Sequence, residues 1–123
     1  MTTTIYVSGA IASDPNFHEK FAKASERLEA AGYKALNPVT VTACEDSSCL
    51  PPGGNRTNLG SNEHTWECYM KHDIAALVHC DGVAMLPDWL DSRGASVERQ
   101  IAHHIGLKVA DLEYWIDNGN TVF

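Results

Sequence analysis

The sequence predicts a single α/β domain built on a mainly parallel sheet of four to five strands with helices on its faces. Three observations carry that prediction. "TTIYVSGA" is a β-branched and aromatic run ending in Ser8-Gly9, a strand delivering its end into a loop. A helical stripe and a second strand, "YKALNP", follow within about thirty residues, the signature of a βαβ unit. Short apolar strands then alternate with helical periods to the end of the chain, which suits parallel strands joined by crossover helices. At 123 residues the chain fits one domain, 1–123, with a core of its own.

The elements follow in order. The first strand covers Thr3 to Val7. Asp14 is a candidate helix cap and Pro15 suits a first turn, Phe17, Phe21, Ala24 and Leu28 make the buried stripe, and Gly32 stops the helix. The second strand spans Tyr33 to Pro38. From Val39 to Glu63 the periodicity dissolves into Pro, Gly, Ser and Asn, a loop long enough to be either a lid or disordered. Helical spacing returns over 64–80, with Trp66, Met70, Leu77 and Val78 on one face. "GVAMLPDW" holds a buried strand, Val83 to Leu86. Ala95, Ile101, Ala102 and Ile105 define the third helix, stopped by Gly106, and "LKVADL" is the fourth strand. The tail over 111–123 carries Trp115, Ile116, Val122 and Phe123, apolar enough to dock on its own domain or on a second subunit. The expected architecture is doubly wound, Rossmann-like and flavodoxin-like.

Nine Lys and Arg against sixteen Asp and Glu give a formal charge of −7, and no basic run tracks a polymeric nucleic acid. No stretch approaches the apolar length of a membrane span, and the N-terminus lacks a signal-peptide pattern, so the expectation is a cytoplasmic protein with reduced cysteines. Cys44, Cys49, His64 and Cys68 have spacings that a structural zinc would accept, against unliganded thiols as the default expectation of no metal.

Two carboxylates break the pattern. Asp73 shares a helical face with Trp66, Met70 and Leu77, and Glu98 shares one with Ile101, Ala102 and Ile105. Both must point inward, where a carboxylate is expensive unless it is bonded and where its pKa rises. A satisfied structural acid explains one such residue easily. Two of them, on helices laid beside the carboxyl ends of parallel strands, favour a site. Ser92, Gly94 and Ser96 precede and open the third helix, a turn whose hydroxyls and free amides suit an anion, with ordinary capping as the alternative. Arg93 could pair with that anion or stay solvated. Trp66, His64 and Trp89 could meet a base, although core packing is the simpler expectation for the two tryptophans. His103 and His104 are expected on the solvated surface.

"IYVSGAI", "YMKHDIAALVHCDGVAML" and "DSRGASVERQIAHHIG" together resemble the nucleoside 2-deoxyribosyltransferase-like superfamily, and its small DUF4406-type branch most closely. That resemblance runs from Thr4 to about Val109 apart from the 39–63 loop. It implies an enzyme of N-glycosidic bonds, with no cofactor. Glu98 would act at the anomeric carbon, Asp73 would protonate or orient the leaving base, and Tyr6 would position the glutamate. Ser92 and Gly94 would form a phosphate-binding turn. Ser8, Gly9, Trp89, Arg93 and Ser96 complete the expected substrate-binding set. The expected reaction is hydrolysis of a (deoxy)nucleoside 5'-monophosphate to free base and sugar phosphate. A base-exchanging deoxyribosyltransferase and a non-catalytic nucleotide sensor are the alternatives. The resemblance also implies a homodimer or larger assembly, with a small-molecule nucleotide as the partner.

Overall fold

The computed structural model describes residues 3–11, 14–40 and 66–119. Four strands, β1 (Thr4–Ser8), β2 (Lys34–Leu36), β3 (Gly82–Met85) and β4 (Lys108–Asp111), form one sheet in the order β2-β1-β3-β4. Every pairing is parallel. The fold is therefore α/β with flavodoxin-like topology, and the chain reverses its direction of winding between β1 and β3, the position at which such folds open a crevice.

Helices lie on both faces because the two central strands are apolar on both faces. Ile5, Val7, Ala84 and Leu86 pack with Phe21, Ala24 and Leu28 of α1 (Phe17–Ala30) and with Leu112 and Trp115 of α4 (Leu112–Asp117). Tyr6, Val83 and Met85, one residue out of phase, pack with Leu77 of α2 (Trp66–Leu77) and with Ala95 and Ala102 of α3 (Arg93–His104). The period-2 alternation of β1 thus assigns Tyr6 and Ser8 to the α2/α3 side.

The helix stops expected at Gly32 and Gly106 are present, and for one reason. Gly32 has φ 101° and Gly106 φ 85°, left-handed conformations that glycine adopts without a Cβ penalty. At each end the next two amides turn back onto the helix: Gly32 and Tyr33 donate to Glu29 and Leu28, and Gly106 and Leu107 donate to His103 and Ala102. This double bond pattern caps the carbonyls and aims the chain into the next strand.

Several boundaries differ from expectation. Helix α1 begins at Phe17, after an Asn16 cap with no side-chain bond; the Asp14 carboxylate instead accepts from the Asn16 amide at 2.8 Å. The second strand is only Lys34–Leu36, since Pro38 opens a 3₁₀ turn. Val78 lies beyond α2 and is 42% exposed, and Ile105 lies beyond α3 and is 50% exposed, so neither shares the buried face assigned to it.

The tail holds the helix that its composition did not announce. Trp115 is fully buried, donates Nε1–H to the Val83 carbonyl at 2.8 Å, and meets Tyr33 edge-on at 5.6 Å. Its ring lies against Gly82, where a Cβ would sit 2.6 Å from Cη2. The tail therefore docks on its own domain through α4. Val122, Phe123, Cys44, Cys49, His64 and nearly all of the 39–63 loop lie outside the described residues, as do the side chains of Trp66 and Cys68. The zinc alternative rests on these residues and so also lies outside the described ones. Among the described residues no group of three metal-ligating side chains comes together, and no helix is long and apolar enough to cross a membrane.

Candidate functional site

Helix α3 starts where the sequence places it. Ser92 is its cap, in an extended conformation, and the Ser92 hydroxyl accepts from the Ala95 amide at 3.1 Å. The Ser92 carbonyl takes the Ser96 amide at 3.0 Å. Two of the first-turn amides are thus used within the turn, and among the described residues the Gly94 amide has no acceptor. Arg93 is exposed on that turn, while Gly94 and Ser96 are half-buried.

Glu98 lies one turn and a half into the helix and is 5% exposed, pointing at the end of β1. Both carboxylate oxygens are held by hydroxyls of that strand. The Tyr6 phenol donates to Oε2 at 2.5 Å, and the Ser8 hydroxyl donates to Oε1 at 2.8 Å. Tyr6 and Ser8 are themselves fully buried. Residues two apart on a strand share a face, so the spacing of Tyr6 and Ser8 suits the two oxygens of one carboxylate. The Ser8 hydroxyl, expected at the substrate, is turned to Glu98 instead.

Burial raises the Glu98 pKa to about 7, outweighing the two hydrogen bonds that favour the carboxylate. Asp73 is half-buried on α2 and is pushed up to about 8, first by burial and then by the Glu98 charge. Among the described residues no donor reaches its carboxylate. Burial, followed by the Glu98 and Asp73 charges, holds the Tyr6 phenol well above its ordinary range, so it remains a donor at any physiological pH. Two carboxyls, one held by neutral donors and one not, therefore sit in each other's field and titrate near neutrality.

The other expected residues fall into different roles. Gly9 is buried, and a Cβ there would lie 2.7 Å from Leu86 Cδ1 and 2.8 Å from Leu86 Cβ. Packing against Leu86 accounts for this glycine with no ligand involved. Trp89 is half-buried against the α3-side core, with the Arg99 guanidinium 4.8 Å from its ring centroid. That face of the indole is covered by the guanidinium. His103 and His104 are exposed. Cys80 is buried, donates to the Ala76 carbonyl and is pushed up to about 11 by burial, so it stays a thiol.

Sequence reasoning missed a cluster on the other side of the strand ends. Lys20 of α1 reaches the Ala10 carbonyl at 2.7 Å, Asp14 at 2.8 Å and Asp88, whose second oxygen accepts from the Ala10 amide at 3.0 Å. Only the fold makes neighbours of residues 10, 20 and 88. The one local signal is a lysine four residues ahead of Ala24, close to the apolar stripe.

Fold and site together define the class: a doubly wound α/β domain with a hydroxyl-held buried carboxylate at the end of its first strand. Within that class the chain belongs to the family described as "Domain of unknown function (DUF4406)", which matches residues 3–111. Comparison with curated proteins and with solved structures finds no match.

Proposed function

We propose that the protein hydrolyses the N-glycosidic bond of a (deoxy)nucleoside 5'-monophosphate, releasing free base and sugar phosphate. The observation that carries this reading is the Glu98 carboxylate, buried and gripped through both oxygens by Tyr6 and Ser8, with Asp73 in its field. The sequence resemblance to the nucleoside 2-deoxyribosyltransferase-like superfamily supports the same chemistry.

Glycosidic cleavage needs a carboxylate for the cation that develops at the anomeric carbon and an acid for the departing nitrogen. Glu98, ionised above about pH 7, supplies the first. Its remaining lone pairs form the bond to C1' as the C1'–N bond breaks. Asp73, protonated below about pH 8, gives its proton to the leaving nitrogen. Water then adds to C1', its proton passes to the Asp73 carboxylate, and Glu98 is released. Two hydroxyls grip Glu98 while no described donor reaches Asp73, a difference of environment that supports giving the two acids different roles. The Ser92–Ser96 turn supplies hydroxyls and an amide for the 5'-phosphate.

The test is free-base release from a panel of ribo- and deoxyribonucleoside 5'-monophosphates, followed by chromatography, with Glu98→Gln as the control. Release by the wild type and none by the variant is the expected result. Full activity in the variant removes Glu98 from the chemistry. Product formed only with an added acceptor base replaces hydrolysis by transfer, and binding with no release under either condition replaces catalysis by sensing.

A further inference from the structure

Beside the site, the loops that leave β1 and β3 are fastened to each other. The Leu86 amide donates to the Ser8 carbonyl at 2.8 Å, and Gly9 lies against the Leu86 side chain. One step further out, backbone pairing gives way to a side-chain ring. Asp88 takes the Ala10 amide with one oxygen, Lys20 bonds the other, and Lys20 returns to the Ala10 carbonyl. A third contact ties the ammonium to Asp14. Every N–H of the Lys20 ammonium has an acceptor, and both polar groups of Ala10 are held.

The position of this ring decides what it does. Ala10 is two residues past Ser8, which holds Glu98. The Asp88 carbonyl accepts from the Asp91 amide at 3.0 Å in the 3₁₀ turn over Trp89–Asp91, and that turn runs directly into the Ser92 cap. The latch therefore spans the winding reversal between β1 and β3 and joins the loop of the carboxylate's holders to the loop that feeds the anion turn. It fastens the α1 side of the strand ends, across the sheet from the α2/α3 side, where Glu98 and Asp73 lie.

We propose that Lys20 and Asp88 are positioning residues, a latch that holds the Ser92 cap and the first turn of α3 against the end of β1 and so sets recognition of the substrate's phosphate. The kinetic part rests on the glycosidase reading above; the structural part does not. Errors of about 1 Å in such a spacing lower productive binding of the end that is misplaced.

The test uses the full chain, wild type and the variants Lys20→Met, Asp88→Asn and Lys20→Met/Asp88→Asn. Amide hydrogen exchange followed by NMR is the first readout. Lys20→Met is expected to speed exchange at Ala10, Ala95 and Ser96 roughly tenfold while Ile5 and Val83 stay protected. Unchanged exchange at Ala95 and Ser96 overturns the latch. So does additivity, since two links of one ring must leave the double variant no worse than Lys20→Met alone. Steady-state kinetics is the second readout: KM for a nucleoside 5'-monophosphate rises about tenfold in Lys20→Met with kcat within twofold, and KM for the matching nucleoside is unchanged. Equal losses for both substrates overturn the proposed link to the phosphate. A wild type that releases no base overturns the glycosidase reading, and the exchange data then decide the latch alone.

Discussion

Replacing Glu98 with glutamine is expected to stabilise the protein while removing its proposed activity, and the stabilisation is expected to grow with pH. In the folded chain the Glu98 pKa stands near 7 against an ordinary 4.5. A carboxyl whose folded pKa is raised binds its proton more tightly in the folded state. Its contribution is fully present below about pH 4.5 and is lost as pH rises through about 7. That gap is worth roughly 3 kcal/mol in total, of which roughly 2 to 3 kcal/mol is lost between pH 5 and pH 9. Glutamine cannot ionise, keeps the shape, and leaves the Tyr6 and Ser8 hydroxyls with an oxygen and an NH2 to bond. Urea unfolding followed by tryptophan fluorescence, at pH 5 and pH 9, measures the difference. The variant should be close to wild type at pH 5 and more stable by about 2 to 3 kcal/mol at pH 9. A difference that does not change with pH, or a variant that loses stability as pH rises, would refute the burial argument for Glu98.

Other expectations follow from the same contacts. Tyr6→Phe removes the 2.5 Å donor to Glu98, so the carboxylate is less favoured and the rising limb of the pH–rate profile moves up by about one to two pH units; an unmoved limb would disconnect Tyr6 from Glu98. In Glu98→Gln the Asp73 pKa should fall from about 8, because one of its two causes is gone, as carbon-13 NMR of the Asp73 carboxyl would read. Trp115→Phe loses the bond to the Val83 carbonyl and leaves a small void, a loss of about 1 to 3 kcal/mol in urea unfolding that would be absent if α4 were not docked. Gly9→Ala forces Leu86 aside and should destabilise by about 1 to 3 kcal/mol without a selective rise in KM.

The core was legible wherever one face of one element decided burial. Phe21, Ala24 and Leu28 share α1's buried face, and Glu98 is inside because its own helix turns it there. Local periodicity carries that information. It does not carry the identity of the partner across the sheet, so Tyr6 could be assigned to Glu98 only through a family resemblance, and Ser8 was assigned to the substrate. The distance along the chain between Ser8 and Glu98 is 90 residues, and no spacing rule spans it. Helix ends were misplaced for a related reason: Val78 and Ile105 continue the apolar period but fall after the last helical residue, where the backbone turns away. The short α4 was missed because six residues offer less than two turns of pattern, and its stability comes from Trp115 packing on Gly82 and α1 rather than from propensity.

The energetic position of the two acids bears on what they are for. A structural strut between α3 and β1 needs a group that accepts two hydroxyl donors, and a neutral amide does that without the penalty of ionisation. Glu98 instead carries a charge into the core at neutral pH, and Asp73 places a second carboxyl in its field, where the Glu98 charge makes Asp73 harder to ionise. Neither acid has a described cation beside it, whereas Asp14 and Asp88, a short distance around the strand ends, share Lys20. The same fold thus gives the carboxylates that hold its loops a shared ammonium and leaves without a described cation the pair on the α2/α3 side. If Glu98→Gln strengthens the fold, the carboxylate has a reason outside the fold. Gain of stability together with loss of base release in Glu98→Gln would identify that reason as the chemistry, because a purely structural carboxylate would lose stability and a silent pocket would have no release to lose.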